Sequence, residues 1–189
     1  MERLDKIFGS PARLRLLRLF LFNQDTTFTF ADVAGRSSLE RETARRELVE
    51  LSAAGLISKK GVGIKAKYHV NGRFEHLGAL DTFIRETTAL SRERILAALK
   101  RVGTLKVVAL SGLFTGALEA QIDLLVAGDS LDTRALAKAV KGLEAELGRE
   151  IRYAAFETPD FRYRLGVYDR LLRDVFDYPH RVLIDRIGL

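Results

Sequence analysis

Apolar residues recur at helical spacing through roughly the first half of the chain and in short continuous runs through the rest. Ser10 followed by Pro11 is a helix start, a capping side chain before proline at the first helical position. Leu14, Leu16, Leu17, Leu19, Phe20, Leu21 and Phe22 then leave that helix apolar on most sides, which predicts burial. Thr29 is placed to cap a short second helix, Phe30 to Ala34, ending near Gly35. Ser37 and Glu40 have capping-box spacing and predict a third helix from about Leu39 to Ala54. In it Ala44, Leu48 and Leu51 fall on one face, and Gly55 follows as a natural helix stop. Two short strands, Leu56 to Lys60 and Lys65 to Val70, flank Gly61-Val62-Gly63. Leu77 to Lys100 is helical by pattern, with interruptions expected at Gly78 and Ser91.

The second half changes character. Leu105 to Leu110 and Ile122 to Ala127 are continuous apolar runs, as expected of strands buried on both faces. Asp132 to Leu147 has helical periodicity through Leu136, Ala139, Val140, Leu143 and Leu147. Ile151 to Phe156 reads as a strand, Thr158-Pro159-Asp160 opens a helical region to about Phe176, and Arg181 to Ile184 reads as a last short strand. Strands alternating with helices imply an α/β sheet. The expected fold is therefore α+β overall, with domains at residues 1–75 and 102–189 and a helical linker at 76–101.

Composition narrows the classes. The chain has 189 residues, of which 47% are hydrophobic, enough for a real core in one large or two small domains. It has no cysteine, which excludes disulfides, thiolate nucleophiles and cysteine-based zinc sites. No apolar run approaches the roughly 20 residues of a membrane span. The first residues carry scattered charges and no clean apolar core, so neither a secretory signal nor a membrane partner is expected, and a cytoplasmic location is. The net charge of +6 and a pI near 9.7 favour polyanionic partners only modestly, so the arrangement of charge must decide.

That arrangement is uneven. Arg36 to Arg73 holds nine Lys/Arg and four Asp/Glu, and from Leu56 onward the basic residues stand alone. With Ala44, Leu48 and Leu51 facing a core, Arg41, Arg45, Glu42 and Arg46 point away from it and Thr43 lies near the edge. A helix entering the major groove uses its N-terminal residues on base edges and its flanks on phosphates. Arg reads guanine bidentately, and Ser or Thr bonds phosphate or base. Lys59, Lys60, Lys65 and Lys67 sit on a glycine-tipped hairpin, suited to phosphates or a minor-groove approach. The candidate DNA-binding residues are therefore Arg36, Ser37, Arg41, Thr43, Arg45, Arg46, Lys59, Lys60, Lys65 and Lys67. The competing reading is a solvated helix and hairpin with ordinary surface charge.

The order helix, short helix, capped helix, then AAGLISKK…KAKYHVN resembles the winged helix-turn-helix of ArsR- and MarR-type regulators over about Leu4 to Asn71. The resemblance implies that the helix from Leu39 to Ala54 is a recognition helix and the hairpin a wing. It also implies a homodimer on pseudo-palindromic double-stranded DNA.

The segment LKVVALSGLFTGALEAQIDLLVA, with GREIRYAAFETPDFRYRL after it, is similar to the minimal nucleotidyltransferase fold over roughly Arg92 to Ile187. Such enzymes carry Gly-Ser after the first strand and an Asp-x-Asp entering the next, the two carboxylates holding Mg²⁺ against nucleotide phosphates. Gly112 and Asp123 match and are the candidate nucleotide-binding positions. Leu113 stands where serine would sit, Gln121 replaces the first carboxylate, and Arg152 or Tyr153 occupies the late strand where an acid would help. Glu119 has the wrong spacing for the same strand face. The other reading of Asp123 is a strand-end acid that caps or salt-bridges locally.

His69, His76 and His180 are isolated, so no metal site is expected, and Ser111 lacks a nucleophile-elbow setting. No cofactor is expected. The expected function is a transcriptional regulator, not an enzyme, whose silent second domain serves assembly or sensing of a small-molecule or nucleotide effector. The alternatives are an active Mg²⁺-dependent nucleotidyltransferase and a toxin–antitoxin-type interaction module.

Overall fold

The computed structural model describes residues 3–117 and 119–189, so Met1, Glu2 and Leu118 lie outside the described residues. The chain is mixed α+β with two sheets. It divides into two compact units, Met1–Ala89 with Lys141–Glu150, and Leu90–Val140 with Ile151–Leu189. No helix of the described residues is long and apolar enough to cross a membrane.

The first unit contains α1 (Arg3–Ile7), α2 (Pro11–Leu21), β1 (Phe28–Thr29), α3 (Phe30–Arg36), α4 (Arg41–Ala53), β2 (Ile57–Lys60), β3 (Lys67–Val70) and α5 (Leu77–Thr87). The hydroxyl of Ser10 accepts from the Arg13 amide at 3.0 Å and starts α2. Leu14, Leu16, Leu17, Leu19, Phe20 and Leu21 are all buried, as an all-round apolar helix must be. Val33 of α3 and Leu48 and Leu51 of α4 close the same core. The sheet runs β1-β3-β2, antiparallel throughout.

Two local expectations change. Ser37 does not begin α4: it ends α3, its hydroxyl donating to the Val33 carbonyl. Ser38 follows at φ 50° and turns the chain, so α4 starts at Arg41 behind Glu40, whose side chain makes no cap bond. Capping-box spacing was present without the extended Ser37 backbone a cap requires. On the hairpin, β3 begins at Lys67 because Gly63–Lys65 form one 3₁₀ turn. Gly55 behaves as read, at φ +76°, with the Leu56 amide bonded to the Leu51 carbonyl at 3.1 Å.

The helical stretch expected as a linker divides between the units: α5 counts with the first and α6 (Arg92–Leu99) with the second. Gly78 lies inside an unbroken α5, whereas Ser91 does cap α6, accepting from the Arg94 amide at 3.2 Å.

The second unit adds β4 (Thr104–Leu110), β5 (Leu124–Asp129), the first half of α7 (Thr133–Leu147), β6 (Tyr153–Glu157), α8 (Thr158–Gly166), α9 (Arg170–Asp177) and β7 (Arg181–Asp185). The sheet order is β6-β5-β4-β7, with only β5 and β6 parallel. The central pair is fully buried from Val107 to Leu110 and from Leu124 to Ala127, so its continuous apolar runs mark two covered faces. Val107, Ala109, Leu125 and Ala127 face Phe161, Leu172 and Val175 of α8 and α9. The expected single helical region breaks between them at Tyr168, φ 54°, and Asp169 caps α9 by accepting from the Leu171 amide at 3.0 Å.

Candidate functional site

The basic face of the first unit starts from the periodicity of α4. Burying Ala44, Leu48 and Leu51 leaves Arg41, Arg45 and Arg46 exposed and Thr43 half-buried at the edge. Two of the arginines share a support: the guanidinium carbons of Arg41 and Arg45 lie 5.2 and 5.6 Å from the centre of the Phe30 ring on α3. The ring's negative face attracts both cations and limits where they can swing. Arg45 also lies 3.5 Å from Glu42. Arg36 stacks 5.3 Å over Phe28 and reaches Glu150, within the same unit, at 3.3 Å. Ser37 is only 1% exposed with its hydroxyl already bonded, so it is part of the α3 terminus and not of this face.

Lys59, Lys60, Lys65 and Lys67 are all exposed on the hairpin. The register sets Lys60 directly opposite Lys67 and Lys59 opposite Tyr68. Opposed residues of an antiparallel pair share a face, so Lys60 and Lys67 place like charges side by side. Such a pair is unfavourable by about 0.2–1 kcal/mol unless an anion lies between or above it.

Sequence reading missed Glu47 and Phe30. Glu47 is buried on the core side of α4, where Arg13 donates to it through Nε at 2.9 Å and the Ser10 hydroxyl lies at 3.1 Å. Arg46 approaches it at 3.6 Å. Its position three residues after Ala44 was the available signal, since that spacing continues the buried stripe.

In the second unit, Gly112 and Asp123 do come together, but with Arg152 as the third member. Asp123 is 2% exposed. Its Oδ2 accepts from Arg152 Nε at 3.0 Å and from the Arg152 amide at 2.8 Å. Its Oδ1 accepts from Arg152 Nη2 and from the Leu113 amide, each at 2.8 Å. Burial pushes the Asp123 carboxyl up, but the hydrogen bonds from the Arg152 side chain and the two amides together outweigh it and hold the group below the usual carboxylate range. Donating to the Asp123 carboxylate correspondingly raises the Arg152 guanidinium. Gly112 sits at φ +47°, its α-carbon hydrogen facing the Asp123 carboxylate.

Compared with known proteins, the chain matches no family model, no curated protein and no solved structure.

The donor set around Asp123 does not fit Mg²⁺. A divalent ion of this kind needs several hard oxygens, and here one carboxylate, fully engaged by a guanidinium, is joined by a leucine and by Gln121. Gln121 offers its backbone amide to Asp174 of α9. Among the described residues no three His, Cys, Asp or Glu side chains gather as metal ligands. His180 packs edge-on against Phe176, 5.3 Å between ring centres, with Nδ1 2.9 Å from the Tyr178 carbonyl oxygen. Those two rings, with Val182, Leu183 and Arg92, line a pocket of about 650 Å³ in this unit.

Proposed function

We propose that the protein is a double-stranded-DNA-binding transcriptional regulator with a winged helix-turn-helix first unit, α2, α3 and α4 followed by the β2–β3 wing. The observation that carries this reading is the concentration of exposed cations on two adjoining elements: Arg41, Arg45 and Arg46 on α4, and the Lys60–Lys67 pair with Lys59 and Lys65 on the hairpin. The N-terminal turn of α4 enters the major groove, where Arg41 and Arg45 read base edges and Thr43 bonds base or backbone. Arg36, Arg46 and the wing lysines neutralise phosphates, releasing counterions. A phosphate above Lys60 and Lys67 relieves their mutual repulsion.

The second unit is a catalytically silent nucleotidyltransferase-like domain. The mixed β6-β5-β4-β7 sheet and the meeting of Gly112 with Asp123 support the likeness, and the Arg152 guanidinium on Asp123 supports the silence. It serves assembly of a cytoplasmic homodimer or the sensing of a small-molecule or nucleotide effector.

The test is selection of bound fragments from genomic DNA, followed by affinity measurements on the selected duplex across a salt series. Arg41→Ala and Arg45→Ala should relax base preference at a defined position, each costing about 1–3 kcal/mol, whereas each lysine variant should weaken all duplexes alike and lower the salt slope by about one. Weak binding to every duplex, unaltered in the arginine variants, would sink sequence-specific regulation.

A further inference from the structure

The second unit holds an amphipathic trough that plays no part in the Asp123 site. Its sheet ends on β7, which pairs with β4 and with no second strand among the described residues. Along that edge lies the pocket of about 650 Å³, lined by Val182 and Leu183 of β7, Leu165 of α8, Phe176 of α9 and Arg92 of α6. Clefts that hold a small organic molecule enclose roughly 300–1,000 Å³, so the volume suits one. Gly112, Asp123 and Arg152 are not in the lining.

The polar side chains of the lining are Arg92, His180 and Asp185. The Asp185 carboxylate is turned to the backbone, accepting from the amides of Ile187 at 3.0 Å, Gly188 at 2.9 Å and Leu189 at 3.0 Å. His180 commits Nδ1 to the Tyr178 carbonyl and lays its ring edge-on against Phe176. Arg92 is far less engaged. Its Nη2 donates to the Leu183 carbonyl at 2.6 Å, and it forms no ion pair with any described residue. That bond uses one of the five N–H donors of a guanidinium and fixes the group at the trough. It also selects against an extended peptide, since a strand added to the sheet edge draws on outward carbonyls such as that of Leu183. A nucleotide is a poor match, because its phosphates need several cations and the lining supplies one arginine.

We propose that the trough binds a small amphipathic carboxylate, its head group on Arg92 and its hydrocarbon tail along Leu165, Phe176 and Val182. The uncommitted guanidinium donors match a carboxylate, and the apolar lining takes the tail out of water. As the effector site of the second unit, the trough rests on the regulator reading above; as a carboxylate site, it does not.

Calorimetric titration of the full-length protein tests it, with octanoate as the probe and butyrate and octan-1-ol beside it. Octanoate should bind saturably, one molecule per chain. Butyrate keeps the charge but shortens the tail, and octan-1-ol keeps the tail but loses the charge. Each should bind at least about tenfold more weakly than octanoate. Arg92→Met keeps an apolar stem without the cation and should lose octanoate affinity roughly tenfold, with octan-1-ol binding unchanged. Leu165 is 39% exposed, so Leu165→Glu is a tolerable change that sets a like charge beside the ligand and should weaken octanoate as much. Octan-1-ol binding as tightly as octanoate, an octanoate titration that does not saturate, or either variant binding octanoate like the parent overturns the proposal. The three-ligand comparison needs no variant, so it decides even if a substitution disturbs β7. Titrating the selected duplex with and without octanoate then separates the two readings. A several-fold change in duplex affinity supports the effector role, and equal affinity removes that role. A protein that binds octanoate as expected but no duplex sinks the regulator reading and leaves the carboxylate site standing.

Discussion

Arg152 holds Asp123 through two nitrogens, Nε at 3.0 Å and Nη2 at 2.8 Å, the forked geometry that only a guanidinium offers to a carboxylate. The guanidinium compensates the charge of a carboxylate that is only 2% exposed. Arg152→Ala should destabilise the protein by about 1–3 kcal/mol, since a buried carboxylate keeps its two amide donors but loses both side-chain bonds. Arg152→Lys should recover part of that and not all, because an ammonium cannot make the fork. Urea denaturation of the three proteins measures it.

The same pair makes stability depend on acid. The Asp123 carboxyl is held below its unfolded value, so its contribution is complete above the ordinary aspartate pKa of about 3.9 and is lost as pH falls through the lower folded value. Thermal melts taken downward from about pH 6 should therefore fall more steeply for the parent than for Asp123→Asn below about pH 4, the variant starting from a lower plateau. Parallel curves would remove Asp123 from the acid response.

Gly112 should tolerate no side chain. Its φ of +47° and the Asp123 carboxylate in the way of a β-carbon act together, with Arg152 Nη2 a further 3.1 Å neighbour. Gly112→Ala should cost more than about 2 kcal/mol, combining backbone strain with displacement of the ion pair. Gly116→Ala is the control, having a positive φ but open space around it, and should cost less.

Phe30 should govern specificity without touching DNA. Replacing its ring by leucine keeps the apolar volume but withdraws the π-face from Arg41 and Arg45, an exposed-site attraction of about 0.5–1 kcal/mol. Phe30→Leu should leave the melting temperature nearly unchanged and reduce discrimination between selected and scrambled duplexes several-fold. Equal discrimination by both proteins would show that the two arginines need no such support.

Glu47 should matter to stability and not to DNA. Removing its carboxylate takes the buried acceptor from the partly exposed Arg13 Nε and Ser10 hydroxyl, so Glu47→Ala should destabilise by about 1–2 kcal/mol. Because Glu47 points to the core, the base preference of a folded Glu47→Gln protein should equal the parent's.

Much of this architecture was readable along the chain because it is governed by neighbours in sequence. The buried stripe of α2, the Ser10 and Ser91 caps, the Gly55 stop and the doubly covered β4 and β5 all follow from side chains within a turn or two of one another. Ser37 shows where that reading fails. Its spacing to Glu40 was right, yet Ser38 turns the backbone at φ 50° and commits the Ser37 hydroxyl to α3. The stop between α8 and α9 had a signal in Gly166, the last residue of α8, but the left-handed turn itself falls two residues later on Tyr168, at φ 54°.

The basic candidate face was largely visible in sequence, since charge and helical phase are both local. Local patterning set the elements, their apolar faces and the places where lysine and arginine accumulate. It left open what sits across from each residue. That Lys60 opposes Lys67, that Phe30 underlies two arginines, and that Asp123 meets Arg152 29 residues later depend on strand register and packing between distant segments. Those pairings emerge only when the folded chain balances burial, hydrogen bonding and charge over all its segments at once, a competition that no window of neighbouring residues contains.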